Sequence, residues 1–197
     1  MSLTEAFDRP DDGAHLEVLR AQLAQRAGQA ALLDVSYRTV PSPLGELLLA
    51  ATEAGLVRLA FHSEGFDQVL AGLSDQVGPR LLAHSAPLDA AARELEEYFA
   101  GRRRNFDLPL DLRLTRGFRR QVVEQLPTIA YGSTASYAEL ARRAGSARAM
   151  RAVGSACATN PLPVVLPCHR VLRADGSIGG YRGGPEAKRM LLALEAG

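Results

Sequence analysis

The chain has 197 residues, of which 47% are hydrophobic and 23% are charged, and these fractions are those of an ordinary globular protein. Because no run of about 18 apolar residues occurs, the sequence predicts no membrane span. The acidic, polar start MSLTEAFDRPDDG is unlike a secretory signal, and two cysteines are too few for a disulfide scaffold, so we expect a cytoplasmic protein.

The net charge of +1 conceals a difference between the two halves of the chain. Residues 1–100 carry 7 Arg and no Lys against 15 acidic residues, whereas residues 101–197 carry 16 basic and 7 acidic residues. This asymmetry favours a polyanionic partner for the basic half, and an ordinary solvated basic surface is the alternative.

The first 30 residues are interpreted as an N-terminal extension. Residues 1–13 are expected to be disordered. Leu16, Leu19 and Leu23 recur at helical spacing, which predicts a short amphipathic helix over 14–30 that packs on the body of the protein.

Residues 31–108 are interpreted as a structural α/β domain with a small antiparallel sheet. Short β-rich runs broken by Pro and Gly predict a meander of three strands, at about 35–40, 46–52 and 56–61.

Two helices are predicted after these strands, at 65–73 and 87–100. The inward-facing side of the second helix is assigned to Leu88, Ala92, Leu95 and Phe99. A linker is predicted over 101–113, GRRRNFDLPLDLR, because this stretch is basic, broken by proline and marks the change in charge. Its three consecutive arginines are interpreted as solvated, in preference to a nucleic-acid contact.

Residues 111–197 are interpreted as a second, mostly helical domain, which makes the fold class α+β. Thr115 is a candidate N-cap for a helix whose inner face is assigned to Phe118, Val122 and Leu126. Pro127 is expected to end that helix.

A pair of short helices is predicted next. Ser136 and Glu139 have the spacing of a capping box, which opens a helix that Gly145 closes. A second helix is predicted over about 147–159, and two short helices joined by a tight turn describe a helix-turn-helix. The second helix is rich in Ala, Gly and Ser, so it can approach a neighbouring helix or a nucleic-acid groove. Both interpretations stay open because the two helices and their turn are basic, with Arg142, Arg143, Arg148 and Arg151.

The stretch LPCHRVL places Cys168 between Pro167 and His169. A thiol attacks as its thiolate and needs a neighbouring base at neutral pH. Adjacent side chains of a strand point to opposite faces, so these two converge only where the backbone is irregular, as the proline indicates. The stretch therefore predicts a nucleophilic cysteine in a reactive loop.

A Cys-His pair also has three alternative interpretations, which these residues leave open. A lone cysteine is most often a small buried hydrophobic residue, which is how Cys157 is interpreted. A structural zinc site takes four ligands, and the remaining histidines, His15, His62 and His84, all lie in the acidic half. A cysteine hydrolase needs an orienting group and an oxyanion hole, for which the sequence has no decisive sign.

Several motifs together resemble one family. PCHRV, preceded by RAVG and NP and followed by GGYRGG and a pattern K…LL..E, is similar to the O6-alkylguanine-DNA alkyltransferases, also called methylated-DNA–protein-cysteine methyltransferases. The similarity is strong from Phe118 to the C-terminus and weaker over 35–61, and it does not cover residues 1–30.

The resemblance implies a reaction in which Cys168 accepts an alkyl group and keeps it as a thioether. His169 would deprotonate Cys168 through water, and Glu195 would orient His169. Tyr137 would donate to N3 of the guanine, and Arg151 would enter the duplex in place of the flipped nucleotide.

The resemblance also implies a DNA-contacting surface and a pocket for the flipped base. The DNA contacts are assigned to Ser136, Tyr137, Arg148, Arg151, Ala152, Gly154 and Asn160. The pocket is assigned to Asn160, Val171, Leu172, Tyr181 and Arg182. Asn160 would hold the turn before the reactive loop, and Tyr181 would belong to the segment that covers the base. Arg182 departs from the small residue of many relatives, so it would contact phosphate or alter which alkyl groups fit.

The implied function is direct reversal of O6-alkylguanine, and of O4-alkylthymine, in double-stranded DNA, with one turnover per molecule. No cofactor or metal is expected, since the N-terminal half lacks the cysteines of a zinc site, and the protein is expected to be a monomer. Two alternatives are a lesion-binding protein that transfers nothing, and a cysteine hydrolase or acyltransferase with multiple turnover.

Overall fold

The computed structural model of the protein describes residues 11–30 and 32–197. Its longer elements are, in chain order, α1 (Asp11–Gln29), β1 (Val35–Val40), β2 (Leu47–Thr52), β3 (Gly55–Phe61), α2 (Phe66–Gln76), β4 (Leu81–Ala83), α3 (Asp89–Phe99), α4 (Gly117–Gln125), β5 (Ala135–Ser136), α5 (Tyr137–Arg143), α6 (Met150–Ala158), β6 (Val171–Leu172) and α7 (Gly184–Ala196). The α+β fold class is confirmed. Of the helices in the described ranges, none has the length and apolar character needed to cross a membrane.

The N-terminal half is built on a four-stranded sheet in the order β3-β2-β1-β4. The three predicted strands are present and form the expected antiparallel pairs, β1 with β2 and β2 with β3. Strand β4, a three-residue strand that pairs in parallel with β1, was not predicted. Every residue of β3 is buried, including Arg58, so the strand lacks the alternation of buried and exposed residues that a solvated face would give.

Helix α1 is longer than predicted, because it begins at Asp11 and not at residue 14. The expectation of disorder therefore fails for residues 11–13, and for residues 1–10 it lies outside the described residues.

The leucines of α1 do not pack as predicted. Leu16, Leu19 and Leu23 are 47%, 47% and 58% exposed, so the prediction that they face the body was wrong. The helix approaches the body through its C-terminal part, where Ala24 is buried and contacts with β4 begin. Apolar spacing predicted the helix but carried no information on which residues have a partner.

Residues 101–113 contact the body of the protein at several points, although Arg102 and Arg104 are exposed, as predicted for solvated arginines. Leu110 forms a β-bridge with Leu56 of β3. Arg103 donates to the Glu97 carboxylate at 2.7 Å. Both halves of the chain also contribute residues to one apolar core, which includes residues of β2, β3, α3, α4, α6 and α7.

Helix α4 begins differently from the prediction. The Thr115 hydroxyl donates to the Leu112 carbonyl at 2.9 Å and caps no helix, so its assignment as an N-cap was wrong. The helix starts instead at Gly117, whose φ of +53° lies in the left-handed region that favours glycine. Val122 and Leu126 are buried, as predicted.

Helices α5 and α6 form the predicted pair. The capping box is present: Ser136 N donates to the Glu139 carboxylate at 2.6 Å, and Glu139 N donates to Ser136 Oγ at 3.2 Å. Gly145, with φ +81°, ends the first helix. Helix α6 begins at Met150 and not near 147, because residues 146–149 form a turn. The two helices pack on each other and on α4.

Candidate active site

The reactive loop connects α6 to a short 3-10 turn, Cys168–Arg170, and every residue from 161 to 170 is buried. The Asn160 side chain holds this loop at two points. Its Nδ2 donates to the Leu166 carbonyl at 2.8 Å, and its Oδ1 accepts from Leu162 N at 3.0 Å. Val164 has a φ of +72°, which is strained for a β-branched residue, so the loop is held in a conformation its sequence does not favour alone.

Cys168 is enclosed in this structure, with 2% of its surface exposed. Burial raises the pKa of its thiol, while a hydrogen bond with the Asn160 side chain and the charge of Lys188 act in the opposite direction. The enclosed thiol is therefore protonated and shielded, and attack on any substrate requires a change in its surroundings.

The Glu195 carboxylate is the centre of a buried hydrogen-bond network. Its Oε1 accepts from His169 Nε2 at 2.8 Å, from the Tyr98 hydroxyl at 2.7 Å and from Arg170 Nη2 at 2.9 Å. Its Oε2 accepts from Arg170 Nε at 2.8 Å and from Gly132 N at 3.3 Å. Burial alone would raise the pKa of Glu195, but the bonds from His169 and Arg170 outweigh it and lower the pKa to about 2.

His169 is fully buried beside Cys168. Burial lowers the pKa of its imidazole, and its hydrogen bond to Glu195 opposes this. A hydrogen bond to a carboxylate assigns the proton to Nε2, which leaves Nδ1 unprotonated. Within the described residues Nδ1 is buried without a hydrogen-bond partner. A neutral imidazole fixed in this tautomer can accept a proton at Nδ1.

Tyr98 is a member of this network that the sequence analysis did not identify. The inward face of α3 was assigned to Phe99, which is only partly buried, whereas Tyr98 is fully buried. Its hydroxyl donates to the same carboxylate oxygen as His169. Because burial raises the pKa of Tyr98 far above its ordinary value, the hydroxyl stays a donor. An N-terminal helix thus reaches the candidate active site directly.

Replacing Tyr98 with Phe is expected to lower the free energy of unfolding by about 1.5–3 kcal/mol, the net contribution of a hydrogen bond to a charged acceptor. Ring packing is retained, so the effect isolates the hydroxyl. Denaturant titration measures it. Tyr131→Phe is the matched control, since that hydroxyl donates to a neutral acceptor, the Leu194 carbonyl, at 3.2 Å, so its loss is expected to cost less. Equal losses in the two variants would contradict the special role of Tyr98.

Residues 178–184, named the cover segment, lie over the reactive loop. The Tyr181 ring is edge-on to His169, with centroids 6.4 Å apart, and its hydroxyl is buried without a partner among the described residues. A Cβ on Gly179 would lie 2.2 Å from the Tyr137 hydroxyl. Glycine is therefore needed for this close approach of Tyr137 to the cover segment.

Lys188 is a second buried group that the sequence analysis did not assign. It is fully buried on α7, and its Nζ donates to the Val171 carbonyl at 2.6 Å. Burial lowers the pKa of Lys188, and the nearby Cys168 and Cys157 counteract this. The signal was present in the sequence, since Lys188, Leu191 and Glu195 lie on one helical face, but a lysine on a helix is usually solvated.

The outer face of α6 is open and made of small residues. Ala152 and Ser155 are exposed, with Arg151 beside them, and a Cβ on Gly154 would meet nothing within 4 Å. Arg148 is exposed in the turn before the helix. An adjoining groove is also basic, and its lining includes Arg113, Arg116, Arg119, Ala152 and Ser155. This face is shaped and charged for close approach of a polyanion.

Comparison with known protein families agrees with these features. Residues 117–197 match the family described as "6-O-methylguanine DNA methyltransferase, DNA binding domain", and residues 35–112 match "6-O-methylguanine DNA methyltransferase, ribonuclease-like domain". The chain belongs to the 6-O-methylguanine DNA methyltransferase family. The resemblance seen in the sequence is thereby confirmed.

Relatives and solved structures in this family span most of the chain. The methylated-DNA–protein-cysteine methyltransferase of Mycolicibacterium paratuberculosis is 42% identical over 82% of this chain and 92% of its own length. The constitutive enzyme of Bacillus subtilis is 38% identical over 81% of this chain and 94% of its own. The crystal structure of Mycobacterium tuberculosis OGT in complex with DNA has a TM-score of 0.70 and 38% identity, covering 82% of this chain and 92% of that chain.

The residues of the candidate active site fall in both of the matched ranges. Cys168, His169 and Glu195 fall in the part described as DNA binding, whereas Tyr98 falls in the ribonuclease-like part. Helix α1 precedes both matched ranges. The network around Glu195 therefore joins the two parts of the family's architecture.

Proposed function

We propose that the protein repairs double-stranded DNA by transferring the alkyl group of O6-alkylguanine, and of O4-alkylthymine, to Cys168, once per molecule. The buried pair of His169 and Glu195 next to Cys168, within the part of the chain that matches the DNA binding domain, is the observation that carries this proposal. The relatives' name, methylated-DNA–protein-cysteine methyltransferase, describes methyl transfer between methylated DNA and a protein cysteine, which supports it.

The transfer forms one bond and breaks one bond. The Cys168 proton passes through water to His169 Nδ1, and the thiolate attacks the alkyl carbon. The sulfur–carbon bond forms as the bond between that carbon and guanine O6 breaks. Tyr137 donates a proton to N3, so the base leaves neutral, and His169 and Tyr137 later exchange their protons with solvent. No oxidant, reductant or cofactor enters the balance.

The lesion must leave the base stack before this step. Extruding a base costs a few kcal/mol, which contacts at the vacated position offset. The small outer face of α6 fits against the minor groove, with Arg151 entering the stack and Arg148 at a phosphate. Ser136, Tyr137, Ala152, Gly154 and Asn160 complete the proposed DNA-contacting set. Such binding is mostly to phosphate, hence weakly sequence-specific and sensitive to salt.

The flipped base is proposed to occupy the space beneath the cover segment. Backbone groups at Val171 and Leu172 read its edge, with Asn160, Tyr181 and Arg182 around it. Strand β6 carries the first two of these residues and pairs with β5, directly before Tyr137, which supports their placement in one pocket. A cytoplasmic location, a monomeric state and a boundary between domains at 31–108 and 111–197 accompany this proposal.

Intact mass spectrometry tests the proposed transfer. After mixing with a duplex that contains O6-methylguanine, the protein is expected to gain about 14 Da, one methyl in place of one hydrogen, at Cys168. Cys168→Ser should gain nothing. Cys157→Ser is the matched control, because Cys157 is also a buried thiol but lies inside α6, and it should gain the same mass as the wild type.

The same experiment separates the two alternatives. A lesion-binding protein would bind the duplex tightly without any change in mass. A hydrolase or acyltransferase would act repeatedly and would not require DNA.

A further inference from the structure

An ion pair ties the cover segment to the N-terminal half of the protein. Arg182 donates to the Glu64 carboxylate at 2.7 Å and to the Ala158 carbonyl, at the end of α6, at 3.2 Å. Glu64 lies in the 3-10 turn that directly follows β3. One side chain of the cover segment is thus bonded both to the turn that follows β3 and to the helix that leads into the reactive loop.

Glu64 is itself held firmly by neighbours other than Arg182. Its Oε1 accepts from Phe61 N at 3.0 Å, and its Oε2 is paired with Arg58, whose guanidinium also donates to the Pro161 carbonyl at 3.0 Å. The anchor for Arg182 is therefore bonded to β3, whereas Arg182 itself belongs to the cover segment.

The cover segment also closes over the reactive loop by packing. The Tyr181 ring lies edge-on to Phe61, with centroids 5.7 Å apart, and a Cβ on Gly183 would lie 2.8 Å from that Phe61 ring. Beneath this packing Cys168 is 2% exposed. A purine cannot reach the sulfur in this arrangement, so the cover segment must move before any transfer.

We propose that the Arg182–Glu64 ion pair is a latch that holds the cover segment closed over Cys168 in the absence of DNA, and so limits entry of free bases. This inference rests on the proposed alkyl transfer, which requires a base to reach Cys168.

The charges are arranged so that the latch opens at low cost. The Arg182 side chain is 28% exposed and becomes fully solvated when it leaves. Glu64 is only 12% exposed, but it keeps its pair with Arg58, so no buried charge is left without a partner. An unpaired buried charge would otherwise make opening prohibitive. A partly exposed ion pair of this kind favours the closed form by a factor of about five.

The test compares Arg182→Met with Arg182→Lys in the full-length chain. Methionine keeps an apolar stem and removes the charge, whereas lysine keeps a charge that can pair with Glu64. Two rates are measured at Cys168 by peptide mass mapping, one with free O6-benzylguanine and one with a small thiol-alkylating reagent. Arg189→Met is the matched control, since Arg189 is an exposed arginine of α7 paired with Glu186.

Arg182→Met is expected to raise both rates about fivefold, because each rate is proportional to the fraction of molecules in which the cover segment is open. Arg189→Met should stay within about twofold of the wild type in both rates, since it leaves the ion pair between Arg182 and Glu64 in place. Arg182→Lys should keep the rate of labelling by the thiol reagent within about twofold of the wild type, because a lysine can still pair with Glu64. Unchanged labelling by the thiol reagent in Arg182→Met would overturn the latch, and an equal increase in Arg182→Lys would overturn the role of the ion pair. Faster labelling without any transfer from O6-benzylguanine or a lesion-bearing duplex would support the latch and contradict the proposed repair function.

Discussion

Replacing Glu195 with Gln is expected to lower the free energy of unfolding by about 3–5 kcal/mol, the usual effect of removing one partner from a buried ion pair. The neutral amide would leave the Arg170 guanidinium buried without a counter-ion, and would place N–H donors against those of Arg170 and His169. Alkyl transfer should also slow by about 100-fold, because the imidazole loses the partner that fixes its tautomer.

The pH dependence of stability gives this prediction a second measurement. The pKa of Glu195 is about 2 in the folded protein against an ordinary 4.5, so its carboxylate stabilises the fold above about pH 4.5. That stabilisation is lost as the pH falls from 4.5 towards 2. His169 acts in the same direction, because its pKa is lowered from 6.5 and acid must charge it in the buried state.

Denaturant titrations at several pH values measure both effects. The wild type should lose stability between pH 4.5 and 2, and Glu195→Gln should lose less over that interval. Glu186→Gln is the matched control, as Glu186 is an exposed carboxylate on the same helix. If Glu195→Gln were as stable as Glu186→Gln, the hydrogen-bond network around Glu195 would contribute little to the free energy of unfolding.

Replacing Arg151 with Ala is expected to slow transfer from a lesion-bearing duplex by about 100-fold, the equivalent of the few kcal/mol that extruding a base requires. Arg151 is exposed on the small outer face of α6, where an inserted side chain can replace the flipped nucleotide. Reaction with a free O6-alkylguanine base needs no extrusion, so it should change far less.

Arg148→Ala distinguishes the loss of an inserted side chain, expected in Arg151→Ala, from the loss of a positive charge near DNA. It removes the same charge from the turn before α6, and if Arg148 contacts a phosphate, binding should weaken while the rate at saturating DNA is retained. Single-turnover kinetics over a range of duplex concentrations distinguish the two variants. Equal losses for duplex and free base in Arg151→Ala would contradict the insertion role.

Local patterns in the sequence predicted the parts of the fold that depend on local physics. The three strands β1 to β3 and the capping box at Ser136 and Glu139 follow from residue types at fixed spacing, and both were confirmed. Strand β4 was missed because three residues pair with β1 only through tertiary contacts. The start of α4 was missed for a similar reason, since Thr115 bonds to Leu112 and not to the helix.

The candidate site was accessible from the sequence only where a motif marks it. Cys168 and His169 are adjacent in an unusual stretch, so residue types made them candidates, and the resemblance to the family then selected among the alternatives. Tyr98 lies 71 residues from His169 in the chain, and a tyrosine beside a phenylalanine on a helix gives no sign of which one turns inward. Lys188 was overlooked because burial of a lysine is set by its surroundings.

The basic stretch at 101–113 illustrates the limit of composition. Its charge and its single proline suggested a linker, yet Leu110 pairs with Leu56 and Arg103 is held by Glu97. The charge of a residue predicts that it interacts well with water, but the fold determines whether another residue lies close enough to bond to it.

Titration of the protein with a duplex carrying isotopically labelled O6-methylguanine tests the proposed transfer to Cys168 most directly. We predict that labelled methyl on the protein rises to one per chain and then stops, with all of it on the peptide that contains Cys168. Formation of demethylated duplex beyond one equivalent per protein chain, or label on any other residue, would contradict this mechanism.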